Sequence, residues 1–172
     1  PLIERFVAGQ LPEPMALSLV GGSLPLPPAD LLEGLAHAVF SGSSLSERAL
    51  TTLGALPPSL VESALSGNLE CAEVLGLVMI YRPEPELKEM ALLHPRVTSE
   101  WIEKAVTHLP GSLLEIVLNN QVMWMQRPAI LDLAELHPEA EYSIKRRVNE
   151  FRFHVLALIP EEVAKDRFEI LD

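Results

Sequence analysis

From Pro28 the chain reads PADLLEGLAHAVF, in which Leu31, Leu32, Leu35, Ala38 and Val39 fall at successive offsets of one, four, seven and eight. That spacing marks one face of an amphipathic helix led by a proline at its first turn. The same grammar recurs in PPSLVESALSG from Pro57, LECAEVLGLVMIY from Leu69 and PELKEMALLH from Pro85. Each is a run of helical period bounded by proline or glycine, and Gly67 is placed to stop the helix before it. Ser44 stands three residues ahead of Glu47, the spacing of a capping box, so a helix is expected to start there. Thr98 is placed to cap TSEWIEKAVTHL, with Glu100 and Glu103 in its first turns where the helix dipole favours negative charge. PGSLLEIVL, RPAILDLAEL and PEAEYSIKRRVNEF continue the series, and Pro160 with Glu161 and Glu162 opens a last helix ending near Leu171. Ten to thirteen helices of two to four turns are expected, and no run alternates strictly enough to demand a strand.

Short helices cannot bury their apolar faces alone and must stack on neighbours. His-Pro recurs at Pro95 and Pro138, 43 residues apart. That lies within the roughly 40 to 47 residues of two-helix HEAT or armadillo repeats. Leu-Pro-Pro recurs at Pro27 and Pro57, 30 residues apart, and HLPGSLLE is a third, uneven member. The expectation is an all-α chain arranged as an irregular α-solenoid of stacked short helices or as a multi-helix bundle. One domain over 1–172 is expected, less regular over 1–55, more repeat-like over 56–151, with terminal helices over 152–172.

Residues Leu109 to Phe151 read LPGSLLEIVLNNQVMWMQRPAILDLAELHPEAEYSIKRRVNEF. The order of a Leu-Pro helix, an LxNQ segment and a proline-led helix resembles bacterial helical-repeat proteins of the HEAT-like or leucine-rich-repeat-variant kind. The resemblance covers about a quarter of the chain. It implies a scaffold for protein contacts, and it brings no catalytic residue; the expected setting is the bacterial cytoplasm, and no cofactor is expected.

Composition narrows the function classes. With 172 residues the chain is long enough for a substantial core. Aromatics make up only 5%, so Leu, Ala and Val must fill it, which suits packed helices. The net charge is −11, and residues 1–80 hold eight acids against two bases while 81–172 hold sixteen against eleven. Neither half offers the positive face that phosphate neutralisation needs, so nucleic acid is not an expected partner. The same argument weighs against the runner-up enzyme architecture, the helical-repeat DNA glycosylases. Cys71 is the only cysteine, which excludes an intrachain disulfide, and a buried structural role is expected for it. No apolar run reaches the length of a membrane span and no signal peptide leads the chain, so the cytoplasm is the expected compartment. The chain begins at Pro1 rather than Met, as a processed chain or a fragment of a longer one would.

Candidate chemistry is sparse. His94 and His137 stand at helix ends directly before prolines and His108 before Leu109-Pro110, where an imidazole can donate to terminal carbonyls. They lack the spacing of a zinc site, and His37 and His154 lie within apolar patterns as core-edge residues. VGGSLPLPP has glycines but no P-loop lysine, and no nucleophile elbow is present. Two interaction candidates remain. Val122, Met123, Trp124 and Met125 are consecutive, so no helix or loop can turn all four inward. Met123, Trp124, Met125 and the adjoining Arg127 are therefore candidate partner-binding residues. Lys145, Arg146, Arg147 and Arg152 form the chain's basic cluster, of which Arg146 and Arg147 are also candidates. The competing expectation is a solvated face paired with Glu139, Glu141 and Glu150. The favoured function is a non-catalytic scaffold binding another protein. The alternatives are a homo-oligomerising module and a helical-repeat enzyme whose site no motif reveals.

Overall fold

The computed structural model describes residues 2–155. Twelve α-helices run along them: α1 Leu2–Val7, α2 Glu13–Val20, α3 Pro28–Phe40, α4 Ser46–Ala55, α5 Pro58–Ser66, α6 Ala72–Tyr81, α7 Pro85–Leu92, α8 Ser99–Ala105, α9 Leu114–Asn119, α10 Gln121–Gln126, α11 Ala129–Glu135 and α12 Tyr142–His154. Short 3-10 turns at Val106–His108 and Gly111–Leu113 join α8 to α9. No strand occurs among the described residues. The helix expected from Pro160 lies outside them.

Proline sets four of the twelve starts. α2, α3, α5 and α7 each carry one in the first turn, where its missing N–H costs no helical bond. Thr98 caps α8 as its sequence implies, its hydroxyl accepting from the Trp101 N–H at 3.3 Å. The capping box at Ser44 does not form. Leu45 takes the cap position with φ −87° and ψ −2°, helix-like backbone where a capping residue is ordinarily extended, and no side chain caps the helix. Ser43 holds the turn instead, its hydroxyl accepting from the Leu45 N–H at 3.1 Å. Gly67 does end α5, in extended rather than left-handed backbone.

α6 forms the centre. Val74 to Met79 are buried without interruption, so this helix is apolar all round, as one enclosed on every side must be. It packs against α3, α7 and α8, while α3 also receives α1, α2, α4 and α5. In the C-terminal part α11 contacts α8, α9, α10 and α12. Approach is closest at Gly76, where the indole of Trp101 occupies the space of the absent side chain.

Helix ends are tied to later segments by buried polar side chains. Arg82 sends Nη1 to the carbonyls of Leu53 at 2.7 Å and Leu56 at 2.9 Å, and its Nη2 pairs with Glu84. The Leu109–Pro110–Gly111 turn is held at three points. Lys88 Nζ donates to the His108 carbonyl at 2.6 Å, His137 Nε2 bonds the Leu109 carbonyl at 2.7 Å, and Glu139 accepts from the Gly111 N–H at 2.9 Å. Carbonyls at helix ends lack intrahelical partners, and buried ones need a donor from elsewhere.

Candidate functional site

The two His-Pro turns are built alike. Leu93 closes α7 with its N–H bonded to the Glu89 and Ala91 carbonyls, and Leu136 closes α11 on Asp132 and Ala134. Their backbones agree closely, φ −87° and ψ −2° against φ −82° and ψ −4°. The next residue folds its ring back, so that His94 Nδ1 accepts from the Arg96 N–H and His137 Nδ1 from the Glu139 N–H, both at 3.0 Å. Each turn thrusts its leucine outward, leaving Leu93 62% and Leu136 79% exposed.

The first turn faces a second wall of this chain across an open groove. α7 and its turn contribute Glu89, Leu92, Leu93, His94 and Val97, and across from them stand Ile116 and Asn119 of α9, Asn120, and Met123 of α10. Between them runs a groove of about 680 Å³. Its surface is mainly aliphatic. Asn119 is fixed by Arg147, whose Nη2 donates to Oδ1 at 2.8 Å. Glu89 is exposed, with no ion pair among the described residues.

The residues singled out from sequence fall in three places. Met123 lines the groove. Trp124 is fully buried, its indole N–H donating to the Leu118 carbonyl at 3.0 Å and its ring stacked on Phe151 at 4.8 Å. Val122 and Met125 are exposed, so the four-residue strip divides as helical geometry requires. The basic residues are mostly committed within the molecule. Arg127 pairs with Glu103 at 3.0 Å, Arg146 with Glu150 at 3.2 Å, Arg147 with Glu115 at 3.3 Å, and Arg152 with Asp132 and Glu135. Of the three acids expected to pair with α12, only Glu150 does so. Glu139 is drawn to the Gly111 N–H, and Glu141 sits at the start of the helix rather than along its face.

His137 is buried and donates to a carbonyl, though to one 28 residues earlier rather than to its own helix. His37 is half-buried with its ring 5.5 Å from Phe6. His154 is exposed, against the core-edge expectation, because α12 turns that side away from the other helices. Cys71 is half-buried, with Sγ 3.6 Å from a Glu73 oxygen, and burial followed by that carboxylate pushes its thiol above the ordinary range. Among the described residues no group of three or more His, Cys, Asp or Glu side chains is placed to hold a metal ion, and no helix is long and apolar enough to cross a membrane.

Sequence reasoning missed Leu93, Ile116 and Asn120. One signal was present. Leu87, Ala91 and Leu92 already fill the inward face of α7, so the Leu92-Leu93 doublet must turn one side chain outward. Comparison with protein-family models, curated proteins and solved structures finds no match.

Proposed function

We propose that this chain is a non-catalytic protein-binding module whose partner seats in the groove between the α7–α8 turn and α9–α10. The observation that carries this reading is the rigid presentation of Leu93 to solvent opposite Met123. An aliphatic side chain 62% exposed gains by being covered. Anchoring by its carbonyl-bonded turn means little ordering is lost when that happens. Apolar grooves bounded by a few polar groups are common sites of recognition. In the same reading the repeated His-Pro helix pairs are units of an irregular HEAT-like solenoid, with the groove between consecutive units.

The test is quantitative affinity capture with the parent and Leu93→Asp, circular dichroism showing that both fold. A protein retained by the parent and lost with the variant supports the reading. Equal retention by both refutes it, as does a light-scattering shift from dimer to monomer on the same substitution, which assigns the surface to self-association.

A further inference from the structure

We infer that the segment the groove accepts is an apolar stretch of polypeptide with a lysine or arginine beside it. This rests on the reading of the groove as a protein-binding site and adds the chemistry of its occupant. The floor decides the first part. Leu92, Leu93, Ile116 and Met123 offer methyl and methylene surface, which is complemented by aliphatic or aromatic side chains. Charge decides the second. Among the described residues Glu89 is the one carboxylate lining the groove, and the wall opposite carries only the neutral amides of Asn119 and Asn120. Cations of the surrounding helices are already engaged: Lys104, Arg127 and Arg147 are all in ion pairs, and Lys88 is buried against the His108 carbonyl. Arg96 lies on the same turn but does not line the groove. Glu86, one turn back on α7, is exposed and adds a second negative charge on that side. An acidic segment would meet Glu89 unscreened in a molecule of net charge −11, whereas a cationic one would pair with it.

The experiment pans a random-peptide library displayed on phage against the full chain, then measures binding of the enriched synthetic peptides by fluorescence polarisation. Parent, Leu93→Asp, Glu89→Gln and Glu89→Lys are compared at low and high salt, with Met123→Lys replacing Leu93→Asp if that variant does not fold. The expected peptides combine apolar residues with Lys or Arg and lose binding to Leu93→Asp. Glu89→Lys should weaken them roughly two- to fivefold, the range for a solvent-exposed ion pair, and flatten their salt dependence. Peptides sensitive to Leu93→Asp but without basic residues, or indifferent to Glu89→Lys, overturn the charge inference and leave the groove standing. Peptides that ignore Leu93→Asp, or a library yielding none, overturn the groove itself.

Discussion

The indole of Trp101 lies against the backbone of Gly76, so close that a methyl group on Gly76 would sit 2.2 Å from its Cε3 atom. α6 and α8 meet at this point, with Phe40 packed on the same indole at 4.6 Å and Lys104 over its ring at 4.7 Å. Gly76→Ala should therefore destabilise the protein by at least ~2 kcal/mol through overpacking, despite the better helix propensity of alanine. Urea denaturation of the single variant, Trp101→Leu and the double variant checks this. The two substitutions should couple, the double variant losing less than the sum of the singles.

His137 and His94 share a turn geometry but not a burden. Because His137 Nδ1 faces the Glu139 N–H, Nδ1 must be the acceptor, and the proton sits on Nε2 to reach the Leu109 carbonyl. Loss of that ring leaves the buried Leu109 carbonyl and the part-buried Glu139 N–H without their partner. His137→Ala should cost about 2–4 kcal/mol, and His94→Ala, half-exposed with one such bond, less than ~1 kcal/mol. Imidazole nitrogen shifts should report the Nε2–H tautomer for His137.

Arg82 is 3% exposed and bridges the end of α4 to the start of α7 through two carbonyls and Glu84. Arg82→Ala strands all three, with an expected loss of about 3–5 kcal/mol. Arg82→Lys should recover little of this, because one ammonium cannot reproduce the guanidinium fork. Thermal melts of the three proteins at one pH distinguish these outcomes.

Within the VMWM strip the two halves should separate sharply. Trp124→Ala removes a fully buried indole and should cost about 3–5 kcal/mol, whereas Met125→Ala, 40% exposed, should stay within about 0.5 kcal/mol. Denaturation midpoints read both. Parity between them would mean that α10 does not pack as described.

Glu33 carries the acid-side prediction. Burial first, then the charges of Asp30, Glu73, Glu4 and Glu70, raise its carboxyl above the ordinary value of 4.5. Between the unfolded and folded values the native state holds a proton that the unfolded chain has released, so stability falls as pH rises through that window. Above it the full penalty applies, and below 4.5 it is absent. Glu33→Gln should raise the melting temperature at neutral pH, by the equivalent of ~0.5 kcal/mol after allowing for solvent screening, and lose that advantage in acid.

From Pro28 onward the sequence by itself determined where most of the described helices lie, whereas α1 and α2 were not read from it. Proline at a first turn, an apolar strip at 3.6-residue spacing and Thr98 as a cap are conditions met within a few residues, so α3, α5, α7 and α8 are legible locally. The exception is Ser44, since Leu45 rather than Ser44 stands at the cap position of α4. Which face of a short helix is covered was only half legible. Four consecutive apolar residues in α10 guaranteed that some were exposed, but not that Trp124 would be the one buried. Tertiary structure alone decided the long-range pairings: Trp101 on Gly76, Arg82 on carbonyls 26 and 29 residues earlier, His137 on Leu109, and Leu93 across from Met123. A side chain's own neighbourhood in sequence fixes its helix and its face. Its partner across a packed interface is fixed by how helices settle against one another, which depends on the shapes of all of them at once.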